Sequence, residues 1–263
     1  MTRDTTRRDF PIDNYDLDLF TPVAAAFGQD RFGYVVTPNA DHLIRWHDDA
    51  NFRESYAAAD FVLMDSRFVA KLLRIGSGIS LRVCPGSDLT AGILSRVITP
   101  QDRIVIIGGD ASQAEELSAR YGMQDLHHYN PPMGFAEDPQ AIETTLRYIE
   151  ARSPFRFCIL AVGMPRQEML ALALARRGLA RGLALCVGAS INFLTGRERR
   201  APLWMQHVGL EWLYRLLHDP GRMASRYLVR GPRVFKLLPR TRFLVRAPCL
   251  SPRPLLSSPV AGL

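Results

Sequence analysis

The sequence predicts an α/β fold: a mostly parallel sheet flanked by helices, followed by a basic, helical C-terminal appendage. Two observations predict the sheet. Short apolar runs alternate with helix-period segments, which is the pattern of parallel strands joined by crossover helices. The runs also lack clean polar alternation, as expected for strands covered on both faces. The appendage is predicted by charge. From Arg197 to Arg246 there are twelve basic residues against three acids (Glu198, Glu211 and Asp219), a surplus larger than the +7 of the whole chain. Basicity is therefore a local property that needs a local explanation.

Taken in order, strands are expected at 32–36 (FGYVV), 60–64 (DFVLM), 103–107 (RIVII), 156–162 (RFCILAV) and 183–187 (LALCV). Helical spacing predicts helices near 40–57, 66–74, 87–98, 111–121, 138–151 and 166–177. The segment 203–218 (LWMQHVGLEWLYRLLH) has apolar residues at helical spacing, and Asp219-Pro220-Gly221 stops it. A second short helix, 222–230, carries Arg222, Arg226 and Arg230, and 231–246 mixes Pro, Arg and large apolar residues. The expected organisation is a core over 1–200, an appendage over 201–246 and a disordered tail over 247–263.

Composition bounds the function. A chain of 263 residues, 47% hydrophobic, can bury a sizeable core. Cys84, Cys158, Cys186 and Cys249 form no CxxC pair and read as thiols of a reducing compartment. MTRDTTRRDF has no apolar core, so no signal peptide is expected. The apolar stretch 168–188 is broken by Arg176, Arg177 and Arg181, so no bilayer span is expected. His127-His128 has no partner at ligand spacing, and neither a metal nor another cofactor is expected. Gly108-Gly109-Asp110 lacks the third glycine of GxGxxG, which argues against a dinucleotide-dependent oxidoreductase.

Ligands of parallel sheets sit beyond the carboxyl ends of the strands, so the residues there are the candidates. Asp65 follows the second strand. It reads either as the N-cap of the next helix or as a general base that takes a proton from an attacking hydroxyl. Thr37 and Asn39 follow the first strand and could hold sugar or phosphate oxygens, or serve as turn and cap residues. Gly163 and Gln167 lie in a tight turn with Pro165 at a helix start, where free N–H groups could meet an anion. Arg82 is a surface charge or a phosphate contact. The C-terminal arginines could bind anionic headgroups beside interfacial Trp and Leu, or neutralise a diphosphate leaving group.

From Tyr34 to Tyr227 the chain resembles the WecG/TagA/CpsF glycosyltransferases, glycosyltransferase family 26. The strongest block is VGASINFLTGRERRAPLWMQHVGLEWLYRLLHDPGRMASR (187–226), supported by VTPNADHL (36–43), RVCPGSDL (82–89), PPMGF (131–135) and VGMPRQE (162–168). The resemblance implies a Rossmann-like core. It also implies metal-independent, inverting transfer of a hexosyl unit from a UDP-sugar to a polyprenyl-diphosphate-linked saccharide. The enzyme would sit on the cytoplasmic face of the membrane. Asp65 then matches the proposed base, and Thr37, Asn39, Arg82 and Gln167 match pocket residues. Arg215, Arg222 and Arg226 match appendage arginines that meet the diphosphate.

The chain departs from the family pattern at Met64-Asp65-Ser66, where many members read PDG, and at Ile191-Asn192-Phe193, where many read FDF. The second departure places Asn192 in the donor loop without a carboxylate. It directs the expectation to the exopolysaccharide type and UDP-glucose; UDP-N-acetylmannosamine or its uronate is the alternative. A non-enzymatic, membrane-surface basic protein is the alternative from another class. Nucleic acid is not an expected partner, and the apolar side of 203–218 allows a homo-oligomer.

Overall fold

The computed structural model of the chain describes residues 7–249. The chain begins with β1 (Arg8–Asp13) and α1 (Leu17–Ala26). Then come β2 (Phe32–Val36), α2 (Ala40–Asp48), α3 (Ala50–Ala57), β3 (Phe61–Val62), α4 (Arg67–Ser77) and α5 (Gly86–Arg96). The second half of the core runs through β4 (Arg103–Ile107), α6 (Ala111–Tyr121), β5 (Asp125–Tyr129), α7 (Pro139–Glu150), β6 (Phe157–Leu160), α8 (Arg166–Arg177) and β7 (Gly182–Cys186). After it come α9 (Ser190–Leu194), α10 (Leu203–Val208), α11 (Glu211–His218), α12 (Pro220–Ala224), a π-helical turn (Ser225–Arg230), α13 (Arg233–Leu237) and β8 (Thr241–Arg246).

Six strands form one parallel sheet in the order β3-β2-β7-β6-β4-β5. This is the α/β, Rossmann-like architecture. Alternation within each strand divides the core into two layers, because successive side chains point to opposite faces. Val36, Val105, Ile107, Cys158, Leu160, Ala184 and Cys186 face one layer, with Leu43, Trp46, Phe52, Val69, Leu146 and Leu170 from the helices. Val35, Ile104, Ile106, Phe157, Ile159, Leu183 and Leu185 face the other, with Phe20, Val23, Leu89, Ile93 and Leu117. Among the described residues no helix is long and apolar enough to cross a membrane.

A second, two-stranded parallel ladder joins β1 to β8, with Phe10 opposite Phe243 and Asp13 opposite Arg246. Asp13 is fully buried. Its carboxylate accepts the Val62 N–H at 2.8 Å and pairs with the Arg246 guanidinium at 2.7 Å. The ladder is thus tied to the sheet through β3 and ties the far end of the basic segment to the core.

Three expected helices differ. The segment 40–57 is two helices, because Asp49 adopts extended backbone and caps the second one, accepting from the Asn51 and Phe52 N–H groups. The segment 203–218 breaks at Gly209, whose φ of 78° is the left-handed C-cap geometry that favours glycine. Residues 222–230 belong to α12 and the π-helical turn, and 231–246 contains α13 and β8. From residue 250 on, the expected disordered tail lies outside the described residues.

Candidate active site

The sheet order places β3, β2, β7 and β6 side by side, so the three expected loops meet on one rim. Hydrogen bonds join them. The Asp65 N–H donates to the Pro38 carbonyl at 3.0 Å. The Thr37 hydroxyl donates to the Cys186 carbonyl at 2.8 Å. The Gly188 N–H donates to Gln167 Oε1 at 2.9 Å.

Asp65 does not cap the helix that follows it. Ser66 does, its hydroxyl accepting the Val69 N–H at 3.2 Å. The Asp65 carboxylate instead accepts the Gly86 N–H at 2.9 Å, at the start of α5, where Pro85 offers no capping side chain. Burial raises the Asp65 pKa above the ordinary carboxylate value, because a charge in a dry environment is disfavoured. The Gly86 N–H opposes that shift, Glu211 adds to it, and Arg215 and His42 oppose it. The result is a half-buried carboxyl with one engaged oxygen and a proton affinity shifted toward that of a general base.

Other candidates have immediate structural partners. Asn39 caps α2, its Oδ1 accepting the Asp41 N–H at 3.0 Å and lying 2.9 Å from His42 Nδ1. Gln167 is buried. Its Oε1 holds Gly188, and its Nε2 donates to Glu168 Oε1 at 2.8 Å. Gly163, at a φ of 75°, makes the turn between β6 and α8. Asn192 Oδ1 accepts from Gln113 Nε2 at 3.1 Å. Arg82 is exposed, paired with Asp16, and its N–H donates to Asn14 Oδ1 at 2.7 Å; the structure records no contact between it and Asp65.

The chain reverses its direction of travel between β4 and β6, the position where doubly wound sheets open a crevice. There Gly108 approaches the Ala161 carbonyl so closely that an added Cβ would lie 2.8 Å from it. That close approach accounts for a glycine that the incomplete GxGxxG pattern leaves unexplained.

The basic segment lies across this rim. Arg226 pairs with Asp41 at the start of α2. Trp212 packs on Phe68 of α4, with ring centroids 6.3 Å apart, and Phe235 meets the same ring at 6.2 Å. The Arg215 guanidinium stands 4.8 Å from the Phe193 ring centroid and pairs with Glu211 at 3.0 Å. The Arg215 charge lowers the Asp65 pKa, against the larger effect of burial. The Arg222 side chain lies outside the described residues.

Sequence reasoning missed two features. Glu168, quoted in the PRQE turn but given no role, is fully buried between Gln167 and His42, whose Nε2 is 3.4 Å away. A buried carboxylate cannot be recognised from one sequence, but its place one residue after a candidate was a signal. The triplet Asp16-Leu17-Asp18 also has the Asp-x-Asp spacing. Its first carboxylate caps α1 and pairs with Arg82, and its second pairs with Arg96 at 2.8 Å. A hollow of about 540 Å³ between Arg8, His47, Arg233 and Arg240 lies at the far end of α2 and contains none of the rim candidates.

Residues 7–247 match the family model described as "Glycosyl transferase WecG/TagA/CpsF family".

Proposed function

The chain belongs to the WecG/TagA/CpsF glycosyltransferase family, and from that premise we propose that it transfers a hexosyl unit, with inversion, from a UDP-sugar to a polyprenyl-diphosphate-linked saccharide. The supporting observation is Asp65: a carboxyl whose pKa burial raises, on the same rim as the loops after β2, β7 and β6, holding the Gly86 N–H at 2.9 Å. The acceptor hydroxyl attacks the anomeric carbon and gives its proton to Asp65. The bond from that carbon to the UDP oxygen breaks, and its electron pair leaves on the β-phosphate. Arg215 and Arg226, joined by Arg222, neutralise the departing diphosphate. The loops around Gly163, Gln167 and Asn192 hold the donor, and Thr37 and Asn39 shape the sugar pocket. Gln167 and Thr37 act largely by fixing the loops they bind.

The arm also exposes Leu203, Trp204, Leu217, Leu228 and Val229 among its arginines. Apolar side chains beside guanidinium groups suit the interface of an anionic membrane, which is where a polyprenyl acceptor resides. UDP-glucose is the proposed donor, on the exopolysaccharide pattern. The test is UDP release across UDP-glucose, UDP-N-acetylmannosamine and its uronate, with a short prenyl-diphosphate-sugar acceptor. Acceptor-dependent release with UDP-glucose supports the proposal. Release with another donor reassigns the sugar, and none with any donor removes the transferase reading.

A further inference from the structure

A line of polar groups ties the rim loops together, and two of its members have no part in the reaction described above. Glu168, in the first turn of α8, is fully buried, and His42, in the first turn of α2, is buried too. His42 Nε2 stands 3.4 Å from Glu168 Oε1, an ion-pair distance that is long for a hydrogen bond. Such a pair is a poor way to stabilise a fold, because the loss of hydration is offset only when the remaining polar atoms are also satisfied. Glu168 Oε2 is buried without a hydrogen-bond partner among the described residues. A buried carboxylate left half-satisfied, under the loops that hold the candidate site, calls for a reason other than stability.

Backbone donors fix where the protons lie. An N–H only donates, so the Asn39 atom that meets the Asp41 N–H at 3.0 Å is the amide oxygen, and the His42 Nδ1 that lies 2.9 Å from this oxygen carries a hydrogen. In the same way the Gly188 N–H, at 2.9 Å, identifies Gln167 Oε1, and Gln167 Nε2 is left to donate to Glu168 Oε1 at 2.8 Å. With Nδ1 already a donor, His42 Nε2 would set a bare lone pair against Glu168 Oε1 unless one proton lies between them. The line thus runs from Gly188 after β7, through Gln167 and Glu168 after β6, to His42 and Asn39 after β2. Pro38, next to Asn39, accepts the Asp65 N–H at 3.0 Å, so the line ends against the proposed base.

We propose that His42 and Glu168 are positioning residues of the transferase: a buried bridge, sharing one proton, that holds Asn39 and Gln167 in register with Asp65. The assignment rests on the transferase reading above. Both residues act through the two amides rather than by contact with the donor. The shared proton is what lets the bridge close at both ends. A neutral imidazole has one N–H for two acceptors, Asn39 Oδ1 and Glu168 Oε1. An amide at position 168 could not supply the missing proton, because the atom that accepts from Gln167 must be its oxygen. The loops after β2 and β6 flank the one after β7, so breaking the bridge frees the outer two to shift against each other. A small misplacement of that kind is costly to a reaction that depends on alignment.

The test has two arms. In the full chain labelled with ¹⁵N-histidine, His42 is assigned among the six histidines by the signal lost in His42→Gln. Its Nδ1 should carry a hydrogen; a bare Nδ1 overturns the proposal. In the second arm, His42→Gln, Glu168→Gln and the double variant are compared by urea melts, UDP calorimetry and UDP release. Each single variant leaves a buried group unmatched and should melt earlier than the parent. The double variant carries no buried charge, and its two amides can bond to each other, so its melt should return toward the parent's. Its turnover should not return: without the donor to Asn39, kcat at saturating UDP-sugar should stay about 10- to 100-fold below the parent's, with UDP affinity unchanged. A double variant as active as the parent, or one that loses UDP affinity in parallel with kcat, overturns the positioning role. If the double variant does not fold, the histidine spectrum alone decides. That spectrum needs no substrate, so a chain with a protonated Nδ1 that releases no UDP from any donor rejects the transferase reading and not the bridge.

Discussion

Replacing Asp65 by Asn removes a negative charge and a proton acceptor while keeping the shape. The amide oxygen can still accept the Gly86 N–H now held at 2.9 Å, so the start of α5 should be preserved and the loss confined to chemistry. A positioned general base is worth about 10²–10⁴ in rate, roughly 3–5.5 kcal/mol of barrier. Stability should move the other way. Burial raises the Asp65 pKa above the ordinary carboxylate value, so the folded chain holds this proton more tightly than the unfolded one. The stability contributed by this group is full below the unfolded pKa and is lost as pH rises through the folded one. At neutral pH the ionised carboxyl therefore counts against the fold, and Asn does not. Acceptor-dependent UDP release should fall by about two to four orders of magnitude. Urea melts should show the variant at least as stable as the parent near pH 7, with the difference shrinking as pH falls toward about 4. Turnover within about twofold of the parent, or a variant less stable at neutral pH, would refute the reasoning.

The parent's kcat/KM should lose activity on acidification at a pH above the ordinary aspartate range, because burial raises the Asp65 pKa; a profile flat down to about pH 4 would contradict this. Ser66→Ala should cost about 1 kcal/mol in denaturant melts through loss of the α4 cap, and Ser66→Gly only a few tenths. Arg246→Ala should cost about 2 kcal/mol by weakening the β1–β8 tie at buried Asp13; melts coincident with the parent would show that the pair contributes nothing. Replacing Leu203, Trp204 and Leu217 together by Asp should abolish sedimentation with anionic vesicles and leave turnover of a short-chain, soluble acceptor within about threefold. Retained sedimentation would remove the interface role of these side chains.

Much of the core was legible because its strands are apolar on both faces. FGYVV and RIVII became β2 and β4 with the expected boundaries. The rim was legible because strand ends in parallel sheets are where loops converge. What escaped had no periodic signal. RDFPID carries charges and a proline within six residues, and its partner TRFLVR lies in a stretch rich in Pro and Arg. Neither reads as a strand until the other is beside it, more than 200 residues away in the chain. DLHHY forms the edge strand β5 and is only half-buried throughout, so it has no apolar run to announce it. At the site, the position of Asp65 on the rim could be read from its place after a strand, but its partner could not: the Gly86 N–H it accepts is 21 residues on. Ser66 departs from the Pro-Asp-Gly pattern, and its ordinary φ of −96° shows that this turn does not require a glycine.

Because β8 pairs with β1, the segment that crosses the rim is fastened at both ends and cannot swing free like a flap on one hinge. Any opening must work as a visor does, pivoting about the lead-in near Arg200 and the ladder at Thr241–Arg246. The same fastening imposes an order on biosynthesis. The first strand leaves the ribosome with its inward face, including Asp13, unmatched, and waits until nearly the whole described chain has been made before its companion arrives.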